Sequence, residues 1–139
     1  MTMKKSVLAL TAILLCGCCT VSCSSETKTE EVPNLTGSWI QNNGKDTYMT
    51  ADVTDTTIDV YWTYTDSDTK AVYWSGSYTA PTTAGAFTWT SENNHEITDG
   101  SILASGDDTK EFSYTDNGNI TFELSALGVT QTVTLDRAE

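Results

Sequence analysis

The chain has 139 residues, with 7 basic against 19 acidic side chains, one histidine, four cysteines and a formal net charge of −12. So few cations cannot neutralise a run of phosphates, which excludes nucleic acid as the expected partner, and they give anionic lipid no electrostatic hold. With His95 alone, no cysteine beyond Cys23 and no G-x-S-x-G turn, the inventory provides neither a zinc set nor a hydrolase constellation, so the expectation is a protein that is not an enzyme and uses no metal or cofactor.

The chain opens with Lys4 and Lys5, followed by an almost purely apolar run over residues 7–15. A basic region followed by about nine apolar residues is the pattern of an export signal, and the run is too short for the ~20 residues a spanning helix needs. Leu15-Cys16-Gly17-Cys18 then resembles the bacterial lipobox. Leu15 fills the position three before the modified cysteine and Gly17 the small residue at the cut, with Cys16 at the variable position. Cys16 or Cys19 as acceptor would put a larger residue at the cut, and Cys23 has Thr20 where the box has Leu. The resemblance implies cleavage after residue 17, a lipid on Cys18, and a protein held by that lipid on the extracytoplasmic face of the bacterial cell membrane. A disulfide framework or metal knot built from Cys16, Cys18, Cys19 and Cys23 is the opposing reading. It would lose Cys16 with the leader, and no ligand-type side chain lies beside the cluster.

Residues 18–34 are rich in Ser, Thr and Glu, are closed by Pro33 and lack periodicity, so they form a polar tether. Its r.m.s. reach is on the order of 20 Å, which keeps the rest close to the bilayer. With the leader removed, Lys28, Lys45, Lys70, Lys110 and Arg137 stand against 19 carboxylates, a net charge near −14. The lipid therefore has to do the anchoring, and charge favours solubility over any general association.

Residues 35–139 are enough for one domain and read as all-β. A first strand begins at Gly37-Ser38-Trp39. In the next clear segment Ile58, Val60, Trp62 and Tyr64 alternate with Asp59, Tyr61 and Thr63, and in the following one Val72, Trp74, Gly76 and Tyr78 alternate with Tyr73, Ser75 and Ser77. Ile120, Phe122 and Leu124, and then Val129, Val133 and Leu135, alternate with polar residues near the C-terminus. Turn residues separate these runs at 42–44, 66–68, 80–81, 93–94, 106–108, 116–119 and 127–128, and no segment has a helical period. The expectation is about eight antiparallel strands in a meander, forming a small barrel or, alternatively, a two-layer sandwich. The sequence Asp-Thr-Lys recurs at 68–70 and 108–110, each time as an entry to a strand with Lys on a solvent edge.

The polar phase of the alternation puts Asp59, Glu111 and Glu123 on a solvated face, away from any buried acid pair. The Asp- and Asn-rich loops (Asp66, Asp68, Asp107, Asp108, Asp116, Asn117, Asn119) have oxygen ligands that suit calcium, but none has the twelve-residue calcium-loop spacing. The aromatic residues are the stronger signal. Neighbours such as Tyr61 with Trp62 and Tyr73 with Trp74 are expected on opposite faces of their strands, one in the core and one outside. Trp39, Tyr61, Trp62, Tyr73, Trp74 and Trp89 are therefore the candidates for a binding surface or pocket.

Leu35-Thr36-Gly37-Ser38-Trp39 carries the G-x-W opening of lipocalin and avidin-type barrels, in which the tryptophan plugs one end, and the whole resembles the small Thr/Asp-rich surface lipoproteins of Gram-positive bacteria and their prophages. In the avidin pattern an Asn and a small hydroxyl residue follow that opening; Gln41 and Lys45 stand there instead. The functional expectation is a monomeric, non-catalytic module that binds a surface protein or polymer. The alternative is a lipocalin-like barrel with Trp62, Trp74 or Trp89 facing a small ligand.

Overall fold

A computed structural model describes residues 30–139, of which residues 31–139 form one compact unit. The proposed leader, Cys18 and most of the tether lie outside the described residues. Eight antiparallel strands form: β1 (Gly37–Ile40), β2 (Thr47–Val53), β3 (Thr57–Tyr64), β4 (Lys70–Ser77), β5 (Phe87–Glu92), β6 (Thr109–Tyr114), β7 (Ile120–Ala126) and β8 (Val129–Arg137). They make a single sheet in the order β4-β3-β2-β1-β8-β7-β6-β5, a meander nearly closed into a barrel, not two separate layers. One short helix, α1 (His95–Thr98), breaks the all-strand expectation. At four residues it is too short to leave a period in the sequence. It forms because the Asn94 side chain accepts the Glu96 N–H and so caps its first turn.

The sheet is two four-stranded meanders joined at two narrow seams. At the first, β1 meets β8 over only two register pairs, Trp39 opposite Arg137 and Ile40 opposite Asp136. This seam is reinforced by side chains. The Arg137 guanidinium lies over the Trp39 ring, 4.3 Å from its centroid, and donates to the carbonyls of Thr36 (2.7 Å) and Asn34. The indole N–H of Trp39 donates to the Leu35 carbonyl at 2.9 Å. Gly37 is required here, since its φ of +129° is one that side chains rarely adopt and a Cβ would stand 3.0 Å from Arg137 Nη1. Trp39 thereby closes the end of the barrel that carries residues 34–36 and the turns 54–56, 78–86 and 115–119.

At the second seam β4 and β5 touch through a single bridge between Gly76 and Asn93. The strands approach so closely that a Cβ on Gly76 would fall 2.4 Å from Ser91 Oγ, 2.5 Å from the Glu92 carbonyl and 2.6 Å from Trp74 Nε1. The Trp74 indole donates to Ser91 Oγ at 2.9 Å across this gap. Between the seams the interior is filled by Trp39, Met49, Val60, Trp74, Phe112, Phe122 and Leu135 among others, each buried. The inward residues expected in β3 and in β7 match the buried set at Ile58, Val60, Ile120, Phe122 and Leu124.

Gly76→Ala is expected to destabilise the protein by at least 1–3 kcal/mol, because backbone and buried indole atoms stand where the methyl would go. Urea unfolding followed by tryptophan fluorescence measures it, and Gly44→Ala, in open space but at φ +69°, is the comparison for backbone strain alone.

Candidate functional site at the Trp62 end

The sequence expectation fails at one pair of aromatic residues for an identifiable reason. β4 carries a bulge: Val60 pairs with Trp74 and Tyr61 pairs with Val72, leaving Tyr73 as an extra residue. A bulge breaks the period of two. Tyr73 and Trp74 are consequently both buried, at 5% and 0% exposure, and do not point to opposite faces. Val72, expected inside, pairs with the outward Tyr61 instead. Trp39 and Trp89 are buried as well. Of the six aromatic candidates, only Tyr61 and Trp62 keep appreciable exposure, and across regular β2–β3 pairing they do occupy opposite faces.

Tyr61 lies on the outer face with Lys70 5.2 Å from its ring centroid. Partial burial, with the carboxylates of Asp59 and Asp52 adding to it, raises its phenol above the usual value. Asp52 and Asp59 are register partners, and each is held by a serine, Ser38 Oγ at 2.8 Å and Ser75 Oγ at 2.5 Å. Such tethering offsets part of the repulsion between facing carboxylates.

Trp62 faces inward at the opposite end from Trp39. It packs edge-on against Tyr73, with centroids 5.9 Å apart, and Tyr73 stacks on Phe122 at the same separation. Its open side looks into a hollow of about 250 Å³ lined by Gln41, Asn43, Lys45, Thr47, Met49, Gln131 and Val133. One ring, two apolar side chains and a border of amides are therefore gathered at the mouth of the barrel.

A strap formed by residues 93–108 crosses this end and covers the edge of β4. Asn94 N–H donates to the Ser75 carbonyl (2.7 Å), Ser105 N–H to the Tyr73 carbonyl (2.8 Å) and Ser101 Oγ to the Val72 carbonyl (2.8 Å). The Trp62 indole donates to the Leu103 carbonyl at 3.3 Å, so the strap and the floor of the hollow are tied directly. In the sequence this stretch shows only the turn residues 93–94 and 106–108 and no sign of a fastened strap. What fastens it to β4 is the backbone N–H groups of Asn94 and Ser105 together with the Ser101 hydroxyl.

Lys110 was also missed. The repeated Asp-Thr-Lys does mark two strand entries, but Lys70 is outside and Lys110 is inside, with only 8% of its side chain exposed. Its ammonium stands 5.4 Å from the ring centroids of both Tyr73 and Trp74 and reaches Asp107 Oδ2 at 3.5 Å and the Glu123 carbonyl at 3.4 Å. It lines a polar cleft of about 420 Å³ together with Thr109, Glu111, Ser113, Thr121 and Glu123, where β6 and β7 part. A cation over aromatic faces in low dielectric is held more firmly than at a surface.

Among the described residues no group of three or more His, Cys, Asp or Glu side chains is arranged to hold a metal ion. Asp107 and Asp108, read as potential calcium ligands, contact Lys110 and His95, and Asn119 contacts Asp136. No helix among the described residues is long and apolar enough to cross a membrane. Comparison with protein-family models, with curated proteins and with solved structures returns no match.

Two expectations follow. His95 Nδ1 lies 3.1 Å from Asp99 Oδ1 and Nε2 3.0 Å from Asp108 Oδ1. Only the imidazolium donates to both, and these hydrogen bonds raise its pKa above 6.5. The clasp is therefore complete below pH 6.5 and is lost as pH rises through the raised value. Amide exchange over residues 99–108, corrected for intrinsic rates, should show greater protection at pH 5.5 than at pH 8, and His95→Gln should remove the difference. Equal protection at both pH values would rule out the clasp. The second concerns Trp89, whose buried Nε1 has no hydrogen-bond partner, whereas that of Trp74 has Ser91. Trp89→Phe is expected to cost less than Trp74→Phe by about 1–2 kcal/mol in urea unfolding, since only the latter strands a buried hydroxyl.

Proposed function

We propose that the protein is a membrane-anchored extracytoplasmic lipoprotein, carried by lipid on Cys18, and that its β-barrel domain is a non-catalytic binding module acting through the Trp62 end. The observation that carries the reading is the distribution of aromatic rings: most are used up in the core, and Trp62 is the tryptophan left partly exposed at the floor of an open hollow. Amide side chains around a ring favour recognition, since Gln and Asn both donate and accept while the ring supplies desolvated contact area.

The size of the hollow bears on what is bound. About 250 Å³ is below the ~300–1,000 Å³ of pockets that enclose a free ligand, and the rest of the interior is filled. This favours one group of a larger surface protein or polymer over an enclosed small molecule, and with it the interaction module over the lipocalin-like carrier. Leu35, where the tether meets the domain, is at the Trp39 end, so the tether and the mouth do not compete for the same surface.

Crosslinking in intact cells, followed by recovery of the protein with its partners, tests both halves. Trp62→Ala should reduce recovery at least tenfold, about 1.4 kcal/mol of binding, while Tyr61→Ala on the outer face leaves it unchanged. The opposite result would move the site to the outer face. Cys18→Ala should abolish lipid labelling and release the protein from the membrane fraction; continued labelling or retention would reject Cys18 as the anchor.

A further inference from the structure

The hairpin of β7 and β8 is paired further than its neighbours are. Its register runs without a shift from Ile120 opposite Leu135 to Ala126 opposite Val129. On one side the pairing of β6 with β7 stops at Phe112 opposite Phe122. On the other the pairing of β1 with β8 stops at Ile40 opposite Asp136. Among the described residues, the outer half of the hairpin thus has two strand edges and no hydrogen-bonded strand partner on either. All residues from 125 to 132 are exposed, including Leu127 at 103% and Val129 at 64%.

Strand edges left open in this way are ordinarily protected by charge, proline or a bulge. None is present: residues 124–135 contain no charged residue and no proline, in a chain otherwise dense in carboxylates. The edge of β4, by contrast, is covered by the strap. Beside β8 lies the hollow of about 250 Å³, in which Gln131 and Val133 face Gln41, Asn43 and Lys45 of the β1–β2 connection and Thr47 and Met49 of β2 without any strand pairing between them.

The sequence of this edge identifies what fits it. Residues 129–133 read Val-Thr-Gln-Thr-Val, the same in both directions about Gln131. Two such strands laid antiparallel about a twofold axis through Gln131 place Val129 opposite Val133, Thr130 opposite Thr132, and Gln131 opposite its own copy. Paired β-branched and Thr–Thr side chains are favourable cross-strand neighbours, and a twofold contact uses one self-complementary patch. Each copy carries a strong negative charge, so association has to run through an uncharged element, and this one is already extended. We infer that the β8 edge, exposed from Val129 to Thr132 and ending at the buried Val133, is an interaction surface for a second copy of the chain, replacing the monomer expected from composition with a twofold pair whose sheets are joined through residues 129–133.

Gln131 and Val133 also line the hollow beside Trp62, so a second copy on this edge and a partner at the mouth would compete, and the two experiments below read the pairing alone. In intact cells expressing the full chain with Cys19→Ser and Cys23→Ser, Gln131→Cys should form a disulfide-linked dimer on mild oxidation. Facing residues in an antiparallel pair have Cα atoms about 4.5–5.5 Å apart, within disulfide reach, and Ser125→Cys on the β7 edge should crosslink at least tenfold less. Sedimentation of the purified full chain should show a dimer that Gln131→Lys weakens at least tenfold by setting two ammonium groups face to face, with near-ultraviolet circular dichroism unchanged. Trp62→Ala should leave the dimer intact. Equal crosslinking at residues 125 and 131, a monomer at every concentration, or a dimer indifferent to Gln131→Lys would each overturn the inference.

Discussion

The contact between Arg137 and Trp39 is the constraint on which the rest of the barrel depends. Two register pairs are a slight connection between β1 and β8, yet they unite the two meanders in one sheet. What makes the connection adequate is the shape of the guanidinium. It is planar, so it can lie on the indole face at 4.3 Å and still direct donors edgewise to the carbonyls of Asn34 and Thr36. A lysine would supply the charge without the flat face or the fork. The turn at Gly37 and the indole bond to Leu35 follow from the same arrangement, because the segment before β1 must curl beneath the ring to present those carbonyls.

With that seam secured, the remaining pressure falls on the other one. Closing a sheet requires a wall to bend, and β4 does so with the extra residue at Tyr73. The bend turns both Tyr73 and Trp74 inward and gives Trp62 its edge-on neighbour. It also supplies the aromatic faces over which Lys110 lies. The strap then covers the carbonyls of Val72, Tyr73 and Ser75 that the single bridge leaves open. The floor of the mouth is thus a by-product of how the barrel is closed.

The fold was legible in the sequence because strands with one buried face write their period directly into it: Ile58 with Val60, and Ile120 with Phe122 and Leu124, are buried as their alternation requires. The site was legible only in part. Trp62 was named among six aromatic candidates, but a bulge leaves no local signal, so Tyr73 and Trp74 were assigned opposite faces. Lys110 was hidden for a different reason, since its motif is shared with Lys70 and only the meeting of β6 with β7 and β4 decides which of the two is enclosed. The strap escaped notice because it is held by backbone carbonyls of β4, partners that residue identities along the strap do not reveal.

The seam between β1 and β8 also dictates an order of assembly. Arg137 and Thr36 are 101 residues apart in the chain, so the contact that completes the barrel is among the most distant it contains. Each meander can pair its own neighbours early through short turns, but neither encloses its apolar face until the last strand arrives beside the first. Contacts of such long range are slow to form because the loop entropy is spent before they repay it. Until then the inner faces of β1–β4 remain open, and in that interval the chain is exposed to proteolysis and misassociation. Speed of closure, as much as final stability, is therefore a property on which the placement of a single arginine bears.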